Sequence, residues 1–163
     1  MMVYHGSSVI VKHPDTVHSY SSLDFGKGFY VTTNESQAII WAKRKAVYRN
    51  TGAGILNRYE MKEELSGLIV KRFASDLNEW LDYVCACRDG HNDYQQYDII
   101  VGKVANDKVY RVVEKYHSGD WDRERALQEI RVYPNYDQIA FITQRAIDQL
   151  LNFDGYQEVA IDG

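Results

Sequence analysis

The sequence predicts an α+β fold on three observations. Segments rich in β-branched and aromatic residues stand towards both ends of the chain, helical patterns concentrate between them, and no linker, repeat or low-complexity tract interrupts the run. With 163 residues, 45% of them apolar, the chain can bury one core without disulfides or metal. A single domain over 1–163 is expected.

Taken in order, the first strand is expected over 2–6 and the second over 28–33. Asn34 followed by Gln37 reads as an N-cap with its capping-box partner. Ala38, Ile39, Trp41, Ala42, Ala46 and Val47 then form a helical apolar stripe to about Tyr48. Strands follow at 55–61 and 68–73. Ser75 is expected to cap a helix carrying Leu77, Trp80, Leu81 and Val84, and further helices are expected over 107–116 and 122–130. A strand at 138–143, a helix at 143–151 and a strand at 156–161 complete the chain.

The formal charge of −4 offers no global attraction for nucleic acid. Lys43, Arg44, Lys45 and Arg49 form a dense basic cluster, but neighbours on a helix point in different directions, so the cluster reads as solvated surface. Nothing at the N-terminus reads as a signal peptide, and no apolar run approaches the ~20 residues needed to span a bilayer. A cytoplasmic location and no membrane partner are therefore expected. Cys85 and Cys87 stand two apart in a helical segment and face different ways, which forms neither a zinc knuckle nor a redox pair. With His91 they read as two buried thiols and a loop histidine, and no metal is assigned.

Chemistry concentrates near the start. In an extended chain Phe25, Phe29 and Val31 share one side, with Lys27 at its solvent end, while Gly26, Gly28 and Tyr30 share the other. Two glycines on one face weaken a strand by roughly 0.5–1 kcal/mol each, so such a strand usually has something close against its backbone. A flat ligand on that bare strip would meet the Tyr30 ring. His5 beside Gly6 likewise sets an imidazole and an unobstructed backbone amide at the end of the first strand, where they can read an amide or a ribose hydroxyl.

The order Tyr4-His5-Gly6-Ser7, a variable loop, Asp24-Phe25-Gly26-Lys27-Gly28-Phe29-Tyr30-Val31-Thr32-Thr33 and then a helix resembles the His-Tyr-Glu branch of the ADP-ribosyltransferase superfamily. That branch includes the poly-ADP-ribose polymerases and the diphtheria-type toxins. Within it the chain looks most like the DUF3990 family. The resemblance continues through Ala38-x-x-Trp41-Ala42, Trp80-Leu81-Asp82-Tyr83, the run from Tyr97 to Asp107, and Gln138-Ile139-Ala140-Phe141.

This resemblance implies a split core of two small sheets across an NAD cleft, with a helical insertion over roughly 75–131. It implies NAD as substrate and transfer of ADP-ribose to a macromolecule, protein or nucleic acid. His5 would hold the adenosine-side ribose, the Gly6 backbone would pair with the nicotinamide carboxamide, Tyr30 would stack on the nicotinamide ring, and Gln138 would meet the nicotinamide ribose. These assignments make His5, Tyr30 and Gln138 the catalytic set. Ser7, Gly28 and Trp41 join His5, Gly6 and Tyr30 around the NAD. Members of this type resemble toxins of toxin–antitoxin or interbacterial systems, which implies a small cognate antitoxin protein.

Gln138 stands where the better-known members carry glutamate. Loss of nicotinamide leaves an oxocarbenium-like centre, which a carboxylate stabilises by charge and a glutamine only by dipole. Gln138 can accept from a ribose hydroxyl but cannot act as a general base. Asp137 is expected to point to the opposite face of the strand. A transferase whose acceptor needs little activation and a pseudoenzyme that binds NAD or ADP-ribose both fit this pattern. Asp98 and Asp107 are expected to pair with basic groups and fix turns.

Overall fold

The computed structural model describes residues 1–18, 23–105, 107–133 and 136–161. Its strands are β1 (Met2–Ser7), β2 (Phe29–Val31), β3 (Ala53–Met61), β4 (Val70–Arg72), β5 (Ile99–Lys103), β6 (Asp137–Phe141) and β7 (Leu151–Ala160). Its helices are α1 (Glu35–Arg49), α2 (Asn78–Arg88), α3 (Asp107–His117), α4 (Arg123–Arg131) and α5 (Gln144–Leu150), with a short 3-10 turn at Asp93–Gln96. One sheet has the order β1-β3-β7 and the other β2-β6-β5-β4.

Strand alternation explains the layering. On the second sheet Phe29, Val31, Ile99, Ile139 and Phe141 face one way and meet Val3, Tyr59 and Met61 of the first sheet, together with Ala146, Ile147 and Leu150 of α5. The intervening Ile100 and Ala140 face the other way into a core built with α2, α3 and α4, and Tyr30 packs against it. The outer face of the first sheet carries α1, whose Ala38 and Ala42 meet Leu56 and Val159. The layers therefore run α1, first sheet, second sheet, helical group.

Small residues set how closely α1 lies on its sheet. A Cβ at Gly6 would fall 2.1 Å from the Ala38 carbonyl oxygen and 2.5 Å from the Ala42 nitrogen, and one at Gly54 would fall 2.6 Å from the Ala42 carbonyl oxygen. Helix backbone thus rests directly on strand backbone, which is what Ala38, Ala42 and Ala46 on the buried side of α1 permit.

Several sequence readings are corrected here. The region over 75–131 is not a helical insertion, because β5 runs through its middle and pairs with both β4 and β6. Ile99-Ile100-Val101 is buried from both faces and so lacks the alternation that marks a half-exposed strand. Ser75 caps nothing: α2 begins at Asn78 after Leu77 in a left-handed conformation (φ 65°). Asn34 does cap α1, accepting from the Gln37 amide at 2.9 Å, but the reciprocal half of the capping box is missing, since the buried Gln37 side chain meets no polar partner. The last strand begins five residues earlier than expected, at Leu151 rather than 156. Asn106 lies outside the described residues, as does the side chain of Asp107.

Gly6→Ala should cost roughly 3 kcal/mol, the upper part of the usual range for overpacking, because the methyl group meets helix backbone rather than a movable side chain. Urea unfolding measures this, and an unchanged midpoint would contradict the close approach of α1 to β1.

Candidate functional site

Among the described residues an isolated bridge joins the two sheets edge to edge. Tyr4 and Thr32 exchange backbone hydrogen bonds at 2.9 Å in each direction, and this bridge belongs to no longer ladder. Because polar groups alternate along a strand, the backbone N–H and C=O of Gly6 also point away from β3, towards the side where β2 diverges. The His5 imidazole spans this divergence. Its Nδ1 lies 2.7 Å from the Tyr30 carbonyl oxygen, and its ring packs on Phe29 at a centroid distance of 4.3 Å. Since that carbonyl can only accept, Nδ1 carries the proton and Nε2 presents a lone pair. Burial of the ring, aided by the positive charge of Lys45 and opposed by the hydrogen bond to the Tyr30 carbonyl, pushes its pKa from the ordinary 6.5 down to about 4. His5 is thus a neutral acceptor at its outer nitrogen.

Tyr30 stands on β2 opposite Ala140. Its hydroxyl donates to the Gly26 carbonyl at 2.6 Å and accepts from the Phe25 amide at 2.9 Å. Burial, reinforced by the negative charge of Asp24, raises its pKa well above 10. The phenol does not ionise and its ring is held from both ends.

Gln138 stands two residues before Ala140 on β6, on the same face of the sheet, opposite Gly102. Its Nε2 donates to Asp24 Oδ2 at 3.0 Å and to the Lys103 carbonyl at 3.4 Å, and the residue is 3% exposed. Both partners accept, so the amide nitrogen must face them and Oε1 is the atom left to accept from a ligand. Asp24 is the centre of this group. Besides Gln138 it accepts from the Ala105 amide at 3.0 Å and forms an ion pair with Arg88 of α2, whose guanidinium lies 4.2 Å from the Tyr110 ring centroid. Composition gave no sign of this role, although Asp24 opens the segment that holds Tyr30.

The glycines of that segment are explained from inside the protein. Gly26 (φ 88°) precedes β2, and a Cβ there would collide with the Tyr94 ring at 2.2 Å. A Cβ at Gly28 would fall 2.7 Å from the Phe141 carbonyl oxygen. The expected open shelf is therefore filled by the chain itself, and Phe25 joins the core on the Tyr30 side rather than sharing a face with Phe29 and Val31. Ser7 is buried, and its Oγ accepts from the Val9 amide at 3.4 Å. Trp41 lies on α1 with its Cβ beside Gly6. Lys45, one turn further on and read from sequence as part of a solvated basic cluster, is close enough for its charge to act on His5.

Asp98 pairs with a basic group, Arg145, as expected, but it ties together distant segments at Ile69 and Thr143 and does not fix a local turn. Burial alone would raise its pKa, but the Ile69 amide (2.8 Å), the Thr143 hydroxyl (2.7 Å) and Arg145 (2.8 Å) together hold it low. Asp137 is turned towards Thr33, whose hydroxyl and amide both donate to it. Cys85 and Cys87 are buried free thiols whose pKa values burial pushes up to about 11 and about 12. Among the described residues no group of three His, Cys, Asp or Glu side chains gathers as a metal site, and no helix is long and apolar enough to cross a membrane.

A cavity of about 690 Å³ lies beyond the ends of β4 and β5 and does not include His5, Gly6, Gly28 or Tyr30.

A family model described as "Protein of unknown function (DUF3990)" matches residues 1–153. No curated protein matches the chain, and no solved structure does.

The pairing of Gln138 with Asp24 makes a prediction. Gln138→Glu brings a second carboxylate to within hydrogen-bonding distance of Asp24 Oδ2, where like charges repel and one must take a proton. Alone it should destabilise the fold. Combined with Asp24→Asn, which supplies a donor in place of the acceptor, the loss should be partly recovered, with a coupling of about 1–3 kcal/mol in a denaturation cycle. Strict additivity would show that the two side chains do not interact.

Proposed function

The chain belongs to the DUF3990 family, and from that premise we propose that it is an NAD-dependent ADP-ribosyltransferase. The observation that carries the reading is the divergence of β1 from β2. There a neutral imidazole acceptor, the outward backbone of Gly6 and an immobilised tyrosine ring stand within a few residues of one backbone bridge. An amide-bearing aromatic ring attached to a ribose needs these three things: a donor and acceptor pair for its carboxamide, a stacking surface, and a hydroxyl acceptor. In this reading Gly6 meets the carboxamide, Tyr30 the ring and His5 Nε2 the distal ribose. Ser7 and Trp41 flank the carboxamide. Gly28 serves the packing of β2 on β6 and gives the ligand no open face.

The reaction breaks the glycosidic bond between nicotinamide and ribose, so nicotinamide leaves with the bonding electrons. The oxocarbenium-like carbon is then captured by a nucleophile on the acceptor, which loses a proton. Gln138 Oε1 holds the adjacent ribose hydroxyl and stabilises the developing positive charge by its dipole. Asp24 aligns that dipole by fixing the amide nitrogen. The acceptor is a macromolecule, and by family resemblance the protein is a bacterial toxin acting in the cytoplasm, with a small antitoxin protein as its partner.

One observation favours a second reading, an NAD or ADP-ribose binder without turnover. Gln138 is almost fully buried, so a ribose hydroxyl reaches it only when a neighbouring group moves aside. Nicotinamide release from NAD by the purified protein separates the two. For a transferase, Gln138→Ala should lower release about 10²-fold with little change in NAD affinity, and His5→Ala should weaken binding by about 1–2 kcal/mol. Binding of NAD by calorimetry with no nicotinamide released above background by wild type would establish the binder instead.

A further inference from the structure

The cavity beyond β4 and β5 is lined by Arg72, Lys103 and Arg131, by the rings of Phe73 and Tyr133, and by Asp137. Three cations against one carboxylate make a local positive concentration in a chain of net charge −4. The two arginines are exposed, and neither forms an ion pair with a described residue. The carboxylate is already engaged by the amide and hydroxyl of Thr33. Lys103 is 7% exposed, which places an ammonium stem in the wall rather than at the rim. Guanidinium groups present planar, paired donors that match phosphate oxygens.

The aromatic wall adds a second chemical requirement. Phe73 is held by Phe25 (centroids 5.5 Å, nearly parallel) and edge-on by Tyr83 (5.2 Å), so its ring is a fixed surface. Tyr133 also lines the cavity, with Lys108 Nζ 5.8 Å from its ring centroid. A volume of about 690 Å³ lies within the usual range of ligand sites. Phosphate-reading cations beside flat rings are the combination that binds a nucleic-acid base with its phosphate.

We infer that this cavity binds a nucleotide unit, its phosphate on Arg72 and Arg131 and its base against Phe73 and Tyr133. The site is separate from the residues assigned to NAD, and the inference does not depend on the transferase reading. Asp137 lines the cavity, Gln138 is the next residue, and Gly102, the register partner of Gln138, also lines it. Free nucleotides and single-stranded nucleic acid carry the same chemistry, and only the second extends past the cavity.

Fluorescence anisotropy of the full chain with a labelled mixed-sequence single-stranded 12-mer, competed by unlabelled AMP, adenosine and NAD, tests this. The 12-mer should bind, more weakly as salt rises, and AMP should displace it at least tenfold better than adenosine. Arg72→Glu and Arg131→Glu should each weaken binding tenfold or more. Both residues are exposed, so the fold should survive, and circular dichroism checks that it does. Tyr133→Ser should weaken binding several-fold, and His5→Ala should leave it unchanged. A 12-mer binding tighter than AMP identifies nucleic acid as the ligand, and equal affinities identify the free nucleotide. Absence of binding by both ligands, or indifference to both charge reversals, would overturn the inference. So would displacement by NAD that His5→Ala abolishes, since the ligand would then occupy the other site.

Discussion

One buried carboxylate holds the second half of the molecule together. Asp24 takes hydrogen bonds from a strand side chain (Gln138), a backbone amide beyond β5 (Ala105) and an ion-paired guanidinium from α2 (Arg88). It thereby joins the segment leading to Tyr30, the centre of the second sheet and the helical layer behind it. Removing one partner of such a group typically costs 3–5 kcal/mol, because the others are left desolvated and unpaired. The arrangement also accounts for the identity of residue 138. A carboxylate beside Asp24 would need a proton or a cation, whereas an amide donates to Asp24 and keeps an oxygen to offer. Glutamine there is the residue its neighbour requires.

How much of this was legible in the sequence depends on whether the cause was local. The cap at Asn34 was readable, because its side chain bonds to an amide three residues on, and the helix starts at Asp122 and Thr143 were placed correctly, where the structure shows the same kind of cap. Most strands showed their alternation. β5 did not, because both its faces are covered by different cores and its apolar run resembles a helix interior as well as a strand. Gly26 and Gly28 were read as exposed because a missing side chain looks the same from sequence whether ligand or protein fills the space. Here Tyr94 and the Phe141 backbone fill it, and those neighbours lie more than sixty residues away. The same distance hid the pairing of Asp24 with Arg88 and Gln138.

The candidate site shows a similar division. His5, Gly6 and Tyr30 were picked out individually, and they stand beside the isolated bridge that joins the sheets. The sequence could not reveal that the Tyr30 hydroxyl is spent on its own turn, which makes the residue a rigid surface rather than a proton donor. Nor could it reveal the arginine-lined cavity, whose walls come from β4, β5, the end of α4 and the start of β6. Sites built on sheet edges and strand ends draw residues from distant segments, so their chemistry appears only once topology brings the segments together.

The proposed place of NAD recognition is where β1 parts from β2. Backbone amide chemical shifts of the isotopically labelled protein, followed by NMR during titration with NAD, test it most directly. The largest changes should fall on Gly6 and its neighbours in β1, on Tyr30 and on Gln138. Changes confined to the cavity around Gly102 and Arg131, with Gly6 and Tyr30 silent at saturating NAD, would contradict it.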